Sequence, residues 1–239
     1  MKYFSVLLLF VLSFQVSVFA QAQSHDVRND YNKLYKSIID EYGFDQLLVN
    51  GIFYEDEYHN KIGHQFFMED KLYKGSLTFR GKEYKGIEMK YDIYNNQLIL
   101  FVRNNTSVVW VVPPNDFISA FSLGDKFFSK YNFQGEPEFY QVVFDTEKLK
   151  CLYYWDKNMI ESYDDIKYIS YRFFESEKKC YLLLNGSSLI YRNNRSFMKI
   201  LPEEIKARVR KYLKDNHIKV NKSSDEKISE LLAYCNSLL

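Results

Sequence analysis

The chain has 239 residues, and its 32 Lys+Arg nearly cancel its 31 Asp+Glu. That balance excludes the broadly basic surface that general affinity for nucleic acid requires, and it gives no long-range attraction to anionic lipid. Aromatic residues reach 18%, with 21 Tyr and 20 Phe against 9 Gly and 4 Pro, which excludes a disordered or collagen-like chain and points to pleated, half-buried surfaces.

The first two dozen residues read as a leader. Met1-Lys2 give a positive start, Phe4 to Phe14 run almost unbroken apolar, and Val18-Phe19-Ala20 or Ala20-Gln21-Ala22 supplies a small-residue cleavage pattern. The signal peptide is therefore expected at 1–20, with cleavage after Ala20 or Ala22. The apolar run is too short for a membrane span, and no Cys near the cut suggests a lipid anchor. The expectation is an exported chain of about 215–220 residues with no transmembrane segment in its mature part. Its location would be periplasmic, outer-surface or extracellular.

A helix is predicted over 29–43. Tyr31, Leu34, Tyr35, Ile38, Ile39 and Tyr42 recur at three and four, Asn29 or Asp30 can cap the start, and Gly43 can end it. A β-rich body follows over 47–192. It opens with Leu47 to Tyr54, broken by the turn pair Asn50-Gly51. Leu77 and Phe79 oppose Ser76 and Thr78, and a turn follows at Arg80-Gly81-Lys82. Ile87, Met89, Tyr91 and Ile93 alternate with Glu88, Lys90, Asp92 and Tyr94, a strand with one wet face. Asn95-Asn96 is a hairpin turn. Leu98 to Val102 and Val108 to Val112 are apolar runs, the second ended by Pro113-Pro114. Residues 115–137 show no clean period and read as a short strand and a loop. Phe139 to Phe144, Leu149 to Trp155 and Tyr168 to Phe174 are strands, with a polar loop or short helical turn between Asp156 and Asp165. Asn185-Gly186 joins Cys180–Leu184 to Ser187–Tyr191 as the strongest hairpin signal.

The end, 196–239, reads as two helices. Pro202, Glu203 and Glu204 suit a first turn, and Ile205, Val209, Tyr212 and Leu213 form one stripe. Ser223 with Glu226 offers a capping box before Ile228, Leu231, Leu232, Cys235, Leu238 and Leu239. No Gly-, Ser- or Pro-rich linker separates sheet from helices. The expected architecture is one α+β domain over 21–239: mainly antiparallel hairpins in a partial barrel or sandwich, with helices at both ends.

Residues with chemistry are scattered. Three Cys leave at least one thiol free or paired between chains. Cys235 lies on an apolar stripe, whereas Cys151 and Cys180 sit in separate strands and can form a disulfide if those strands are neighbours. His59 and His64 follow Glu55, Asp56 and Glu57 but match no ligand spacing, so no metal site is expected. There is no Gly-x-Ser-x-Gly elbow, phosphate loop or dinucleotide fingerprint, and no cofactor is implied. Tyr153, Tyr154, Trp155 and Trp110 could stack on sugar rings or present a flat partner surface, against the plain alternative of core packing. Tyr54, Tyr58, Tyr73 and Tyr84 are expected to be exposed. Asn104, Asn105, Asn185, Asn194 and Asn221 each begin an Asn-x-Ser/Thr triplet, which matters only in a glycosylating host.

Three stretches carry a family likeness: Lys74-Gly75-Ser76-Leu77-Thr78-Phe79, then Gly81-Lys82-Glu83-Tyr84, and above all Met89-Lys90-Tyr91-Asp92-Ile93-Tyr94-Asn95-Asn96-Gln97-Leu98. With Tyr234-Cys235-Asn236-Ser237-Leu238 near the end, they resemble a group of uncharacterised exported proteins from Bacteroidetes-type bacteria. The resemblance implies an envelope or secreted location and carries no functional residue across. The functional expectation is a non-enzymatic binding or scaffolding protein of the bacterial cell envelope. Its partner would be an envelope protein or a small apolar ligand. The alternative is a secreted hydrolase of an extracellular polymer using scattered carboxylates such as Asp92 or Asp145.

Overall fold

The first long strand, over 73–79, falls where the two-residue period begins. A computed structural model describes Leu48 and residues 51–103, 108–133, 137–163 and 169–239. The signal peptide and the helix expected at 29–43 lie outside the described residues. By their contacts, Leu48–Val102 and Val109–Leu239 form one unit.

After two short strands, β1 (Ile52–Phe53) and β2 (Lys61–Ile62), come β3 (Tyr73–Phe79), β4 (Lys82–Asp92), β5 (Gln97–Arg103) and β6 (Val108–Val112). The chain continues through β7 (Ile118–Leu123), β8 (Lys126–Tyr131), β9 (Glu138–Asp145) and β10 (Leu149–Asp156). Then follow β11 (Met159–Tyr163), β12 (Ile169–Phe173), β13 (Glu177–Leu184) and β14 (Ser187–Tyr191). Eleven strands make one mainly antiparallel sheet in the order β1-β6-β5-β4-β3-β7-β8-β9-β10-β13-β14, and β11-β12-β2 make a small second sheet. The order runs from β1 to β14 without joining them, so the described residues form no closed barrel.

The large sheet nevertheless coils. Four strand steps separate β4 from β9, roughly 19 Å across a flat sheet. Yet the rings of Tyr91 on β4 and Phe139 on β9 have centroids 6.0 Å apart. Tyr91 also meets Phe121 at 5.1 Å and Phe128 at 5.4 Å, so one concave face folds onto itself around aromatic rings. Phe67, from the loop before β3, packs edge-on to Phe128 and Trp155.

A second core lies where β10, β13 and β14 carry three helices: α1 (Asn194–Ile200), α2 (Glu203–Asp215) and α3 (Asp225–Leu238). Leu149, Cys151, Tyr153, Cys180, Leu182 and Tyr191 face Phe197, Ile205, Val209, Leu231, Leu232 and Cys235. A polar clamp seats α3. Gln141 Nε2 donates to Asp225 at 2.6 Å, Gln141 Oε1 accepts from the Trp155 indole at 2.8 Å, and Lys126 lies 2.9 Å from the same Asp225 carboxylate.

Several expectations need correction. The two helices expected near the C-terminus are α2 and α3, and a further short helix, α1, precedes them. The capping box is at Asn193 and Ser196, before α1. The cap of α3 is Ser224, while the Ser223 hydroxyl accepts from the Lys219 N–H. Residues 118–131 form two strands rather than one, because a register shift against β3 adds a residue to β7 and scrambles its period. The polar stretch after Asp156 contains β11, whose residues are nearly all exposed and so show no alternation. Asp92 is fully buried instead of facing water, and Tyr84 is buried rather than exposed.

Gly75 marks the tightest backbone approach in the sheet. A Cβ there would stand 1.7 Å from the carbonyl oxygen of Ser122, whose hydroxyl accepts from the neighbouring Ser76 N–H at 2.8 Å. Gly75→Ala must therefore push β3 away from β7. It is expected to cost about 3 kcal/mol or more in denaturant unfolding, whereas Gly81→Ala, at a turn with open space, is expected to cost less.

Candidate functional site

The chain enters the large sheet at an edge. β1 pairs with β6, Ile52 opposite Val112 and Phe53 opposite Val111, and the Tyr54 N–H continues the ladder to Trp110. This edge position leaves Ile52 and Phe53 exposed, at 77% and 69%. The β4–β5 turn lies alongside, and together they wall an open cleft of about 520 Å³. Glu55, Glu57 and Asp92 line it with Phe53, Tyr54, Tyr58, Asn95 and Gln97, and no Lys or Arg is among its lining residues.

Asp92 explains how the turn is held. One carboxylate oxygen accepts from the N–H groups of Tyr94 at 3.1 Å and Asn95 at 2.9 Å. The other accepts from the Asn95 amide at 2.8 Å and the Gln97 amide at 3.4 Å. Burial pushes its pKa up, against the pull of those donors. Four donors fill the acceptor capacity of a carboxylate, so Asp92 shapes the turn and has no free lone pair for a substrate.

The opposite wall is a hydrogen-bonded loop. Asp56 pairs with Lys61 and accepts from the Tyr58 N–H at 3.2 Å. Burial opposes ionisation of Asp56, but these bonds outweigh it and hold the carboxyl below its usual range. Buried Gln65 accepts from Lys61 at 3.2 Å and donates to the Tyr54 hydroxyl at 2.9 Å. Burial, with Asp56 and Asp92 nearby, raises the Tyr54 phenol, so it stays a neutral donor. The Tyr58 ring packs edge-on to Tyr94, Tyr171 and Phe173, and its hydroxyl meets the Asn95 side chain.

The other sequence candidates fall elsewhere. His59 is exposed. His64 Nδ1 accepts from the Phe66 N–H at 3.2 Å, and its carbonyl takes the buried amine of Lys157 at 2.6 Å. No cluster of three metal-type ligands occurs among the described residues. Asp145 pairs with Lys150 and accepts from the Tyr131 hydroxyl, away from the cleft lining. Tyr153 is buried in the helix-facing core, while Tyr140, Tyr154, Tyr181 and Phe133 pack against one another on the other face of β9, β10 and β13. Tyr54, Tyr58 and Tyr73 are half-buried rather than exposed; Tyr54 and Tyr58 were nonetheless legible in the sequence as candidate surface aromatics. Phe53, Asn95 and Gln97 were not, since only the β1 edge and the folded turn bring them together.

Cys151 and Cys180 occupy neighbouring strands, but Cys151 stands opposite Leu182 and Cys180 opposite Tyr153. Both are free thiols, as is Cys235, and all three are buried. The Cys151 sulfur lies 3.2 Å from the Tyr191 hydroxyl. No family model, curated protein or solved structure matches the chain.

Two predictions follow from this geometry. Asp92→Ala strips the buried acceptor from four part-buried turn donors and is expected to cost about 1–3 kcal/mol in urea unfolding. Burial pushes the Cys151 and Cys235 thiols up to about 12. The native protein is therefore expected to be inert to a thiol reagent at pH 8 and to show three reactive thiols once denatured. Finding one thiol after denaturation without reductant would overturn this, and peptide mapping would show whether Cys151 is the residue joined to Cys180.

Proposed function

We propose that this chain is an exported binding protein of the bacterial envelope and that the cleft beside β1 takes a saccharide. The observation that carries this is the juxtaposition of an exposed flat ring, Phe53, with carboxylates and amides, Glu55, Glu57, Asn95 and Gln97. A sugar offers an apolar ring face to the aromatic and hydroxyl donors and acceptors to the polar groups. A mainly open cleft of this size with a few convergent polar groups suits a small ligand. The leader-like start and the likeness to exported Bacteroidetes-type proteins support the location. The aromatic filling of the coiled sheet argues against an apolar ligand held inside it, because rings already occupy that space at contact distance.

A hydrolase working in the same cleft would have Glu55 and Glu57 as its exposed carboxylates. Asp92 is unsuited to the acid role because its lone pairs are occupied, and Asp145 is outside the lining. Binding without turnover is the better reading, since chemistry rather than fold must carry an enzymatic claim.

Screening the mature protein against an immobilised panel of oligosaccharides, with a parallel assay for new reducing ends, tests both. Selective binding without cleavage is expected. Phe53→Ala and Glu57→Gln should each weaken it roughly tenfold at an unchanged unfolding midpoint, since both side chains are exposed. Binding that survives Phe53→Ala would remove the cleft from the reading, and release of reducing ends would replace it with the hydrolase.

A further inference from the structure

The near-neutral total charge hides a local concentration. Arg195 and Lys199 on α1 stand four apart, and Lys206, Arg210 and Lys214 on α2 repeat the same spacing. Both rows face one groove of about 770 Å³, joined by Lys219 from the α2–α3 loop. Glu203 is the one carboxylate in its lining, and Lys206 already holds it at 2.7 Å. Arg195, Lys199, Lys214 and Lys219 have no carboxylate partner among the described residues. Like charges four apart repel along a helix face and oppose its stability. Lys206 with Glu203 and the last-turn positions of Lys199 and Lys214 offset part of that repulsion, but they do not account for two rows converging on one groove.

The groove is built, not draped. The Asn194 amide donates to the Ile218 carbonyl at 2.8 Å and its oxygen accepts from the Val220 N–H at 2.9 Å, which fastens the α2–α3 loop to the start of α1. The end of α2 is closed by paired bonds, Ile218 N–H to the Leu213 carbonyl and His217 N–H to the Lys214 carbonyl, with His217 in the left-handed region at φ 52°. Met198, Leu213 and Ile218 make an apolar floor. These bonds fix the backbone from which the cations project, while the exposed side chains of Arg195, Lys199, Arg210, Lys214 and Lys219 are ordered by the ligand itself.

We infer that this groove binds a multiply charged oxyanion, a phosphate-type group carried on a soluble compound or on a lipid headgroup. Cations converging in a groove focus the field and favour a compact anion of high charge. Guanidinium groups from Arg195 and Arg210 supply the forked donors such a group accepts. This site is separate from the saccharide cleft and stands or falls without it.

The test uses the full mature protein. Pyrophosphate is titrated calorimetrically at two salt concentrations, and flotation is measured with neutral phosphatidylcholine vesicles with and without phosphatidic acid. Pyrophosphate binding that weakens with salt supports the site with a soluble ligand. Binding only to vesicles containing phosphatidic acid supports it with a headgroup as ligand. In either case Lys199→Gln/Lys214→Gln should lose roughly tenfold, with Arg195→Gln/Lys219→Gln as a second variant of the same lining. Arg208→Gln/Lys211→Gln makes the same charge change on exposed α2 residues outside the lining and should leave affinity unchanged. Absence of binding to every probe, or an equal loss in the Arg208/Lys211 control, overturns the site.

Discussion

The structure depends on a coiled sheet closing around its own aromatic side chains. Tyr91, Phe121, Phe128 and Phe139 come from four different strands, yet their rings meet at 4.8–6.0 Å. Each buried ring removes about 150–250 Å² from water and gains a further ~0.5–1.5 kcal/mol where it meets another at an edge or offset. Nothing smaller would reach across the concave face. The coil also decides where the loop before β3 can go: Phe66 bridges to Asp92, the Phe67 N–H bonds the Tyr91 carbonyl, and the Ile93 N–H bonds the Gln65 carbonyl. That crossing buries Asp92 and sets one wall of the cleft.

The other half of the sheet solves a different problem. Beyond β9 its inner face is covered by helices, and the seam between the two regimes runs through polar residues. Gln141 is 2% exposed and satisfied on both ends, by Trp155 from the sheet and Asp225 from the start of α3. A carboxylate at the first turn of a helix is favoured by the helix dipole, and here it also receives Lys126. The clamp thus fixes where α3 begins. It leaves α1 and α2 with their cationic rows turned outward.

Much of the fold was legible because its signals are local. Asn96, Asn185 and Gly186 adopt positive φ within the turns that their dipeptides imply, and Arg80 and Gly81 do the same. The alternation of Ile87, Met89, Tyr91 and Ile93 marks a buried face correctly. Legibility fails where pairing, rather than the strand itself, sets the pattern. The shifted register in β7 breaks the period of Ile118, Phe121 and Leu123, and β11 has no buried face to reveal. Asp92 looked wet because alternation cannot see a loop arriving from the far side. The cleft shared that blindness. The groove was different: the four-residue spacing of its cations was readable, but near-zero net charge masked it.

By itself, then, the amino-acid order determined the strand-rich class, the positions of the main hairpin turns and the apolar stripes of α2 and α3. Those follow from backbone preferences and side-chain periodicity within a dozen residues. Tertiary structure alone decided that the sheet coils without closing, that Asp92 is a buried turn-holder, and that Cys151 and Cys180 lie diagonally on adjacent strands. It also decided that two rows of cations share one groove. Each of these is a relation between segments far apart in the chain, set by register and curvature, and no local pattern encodes register.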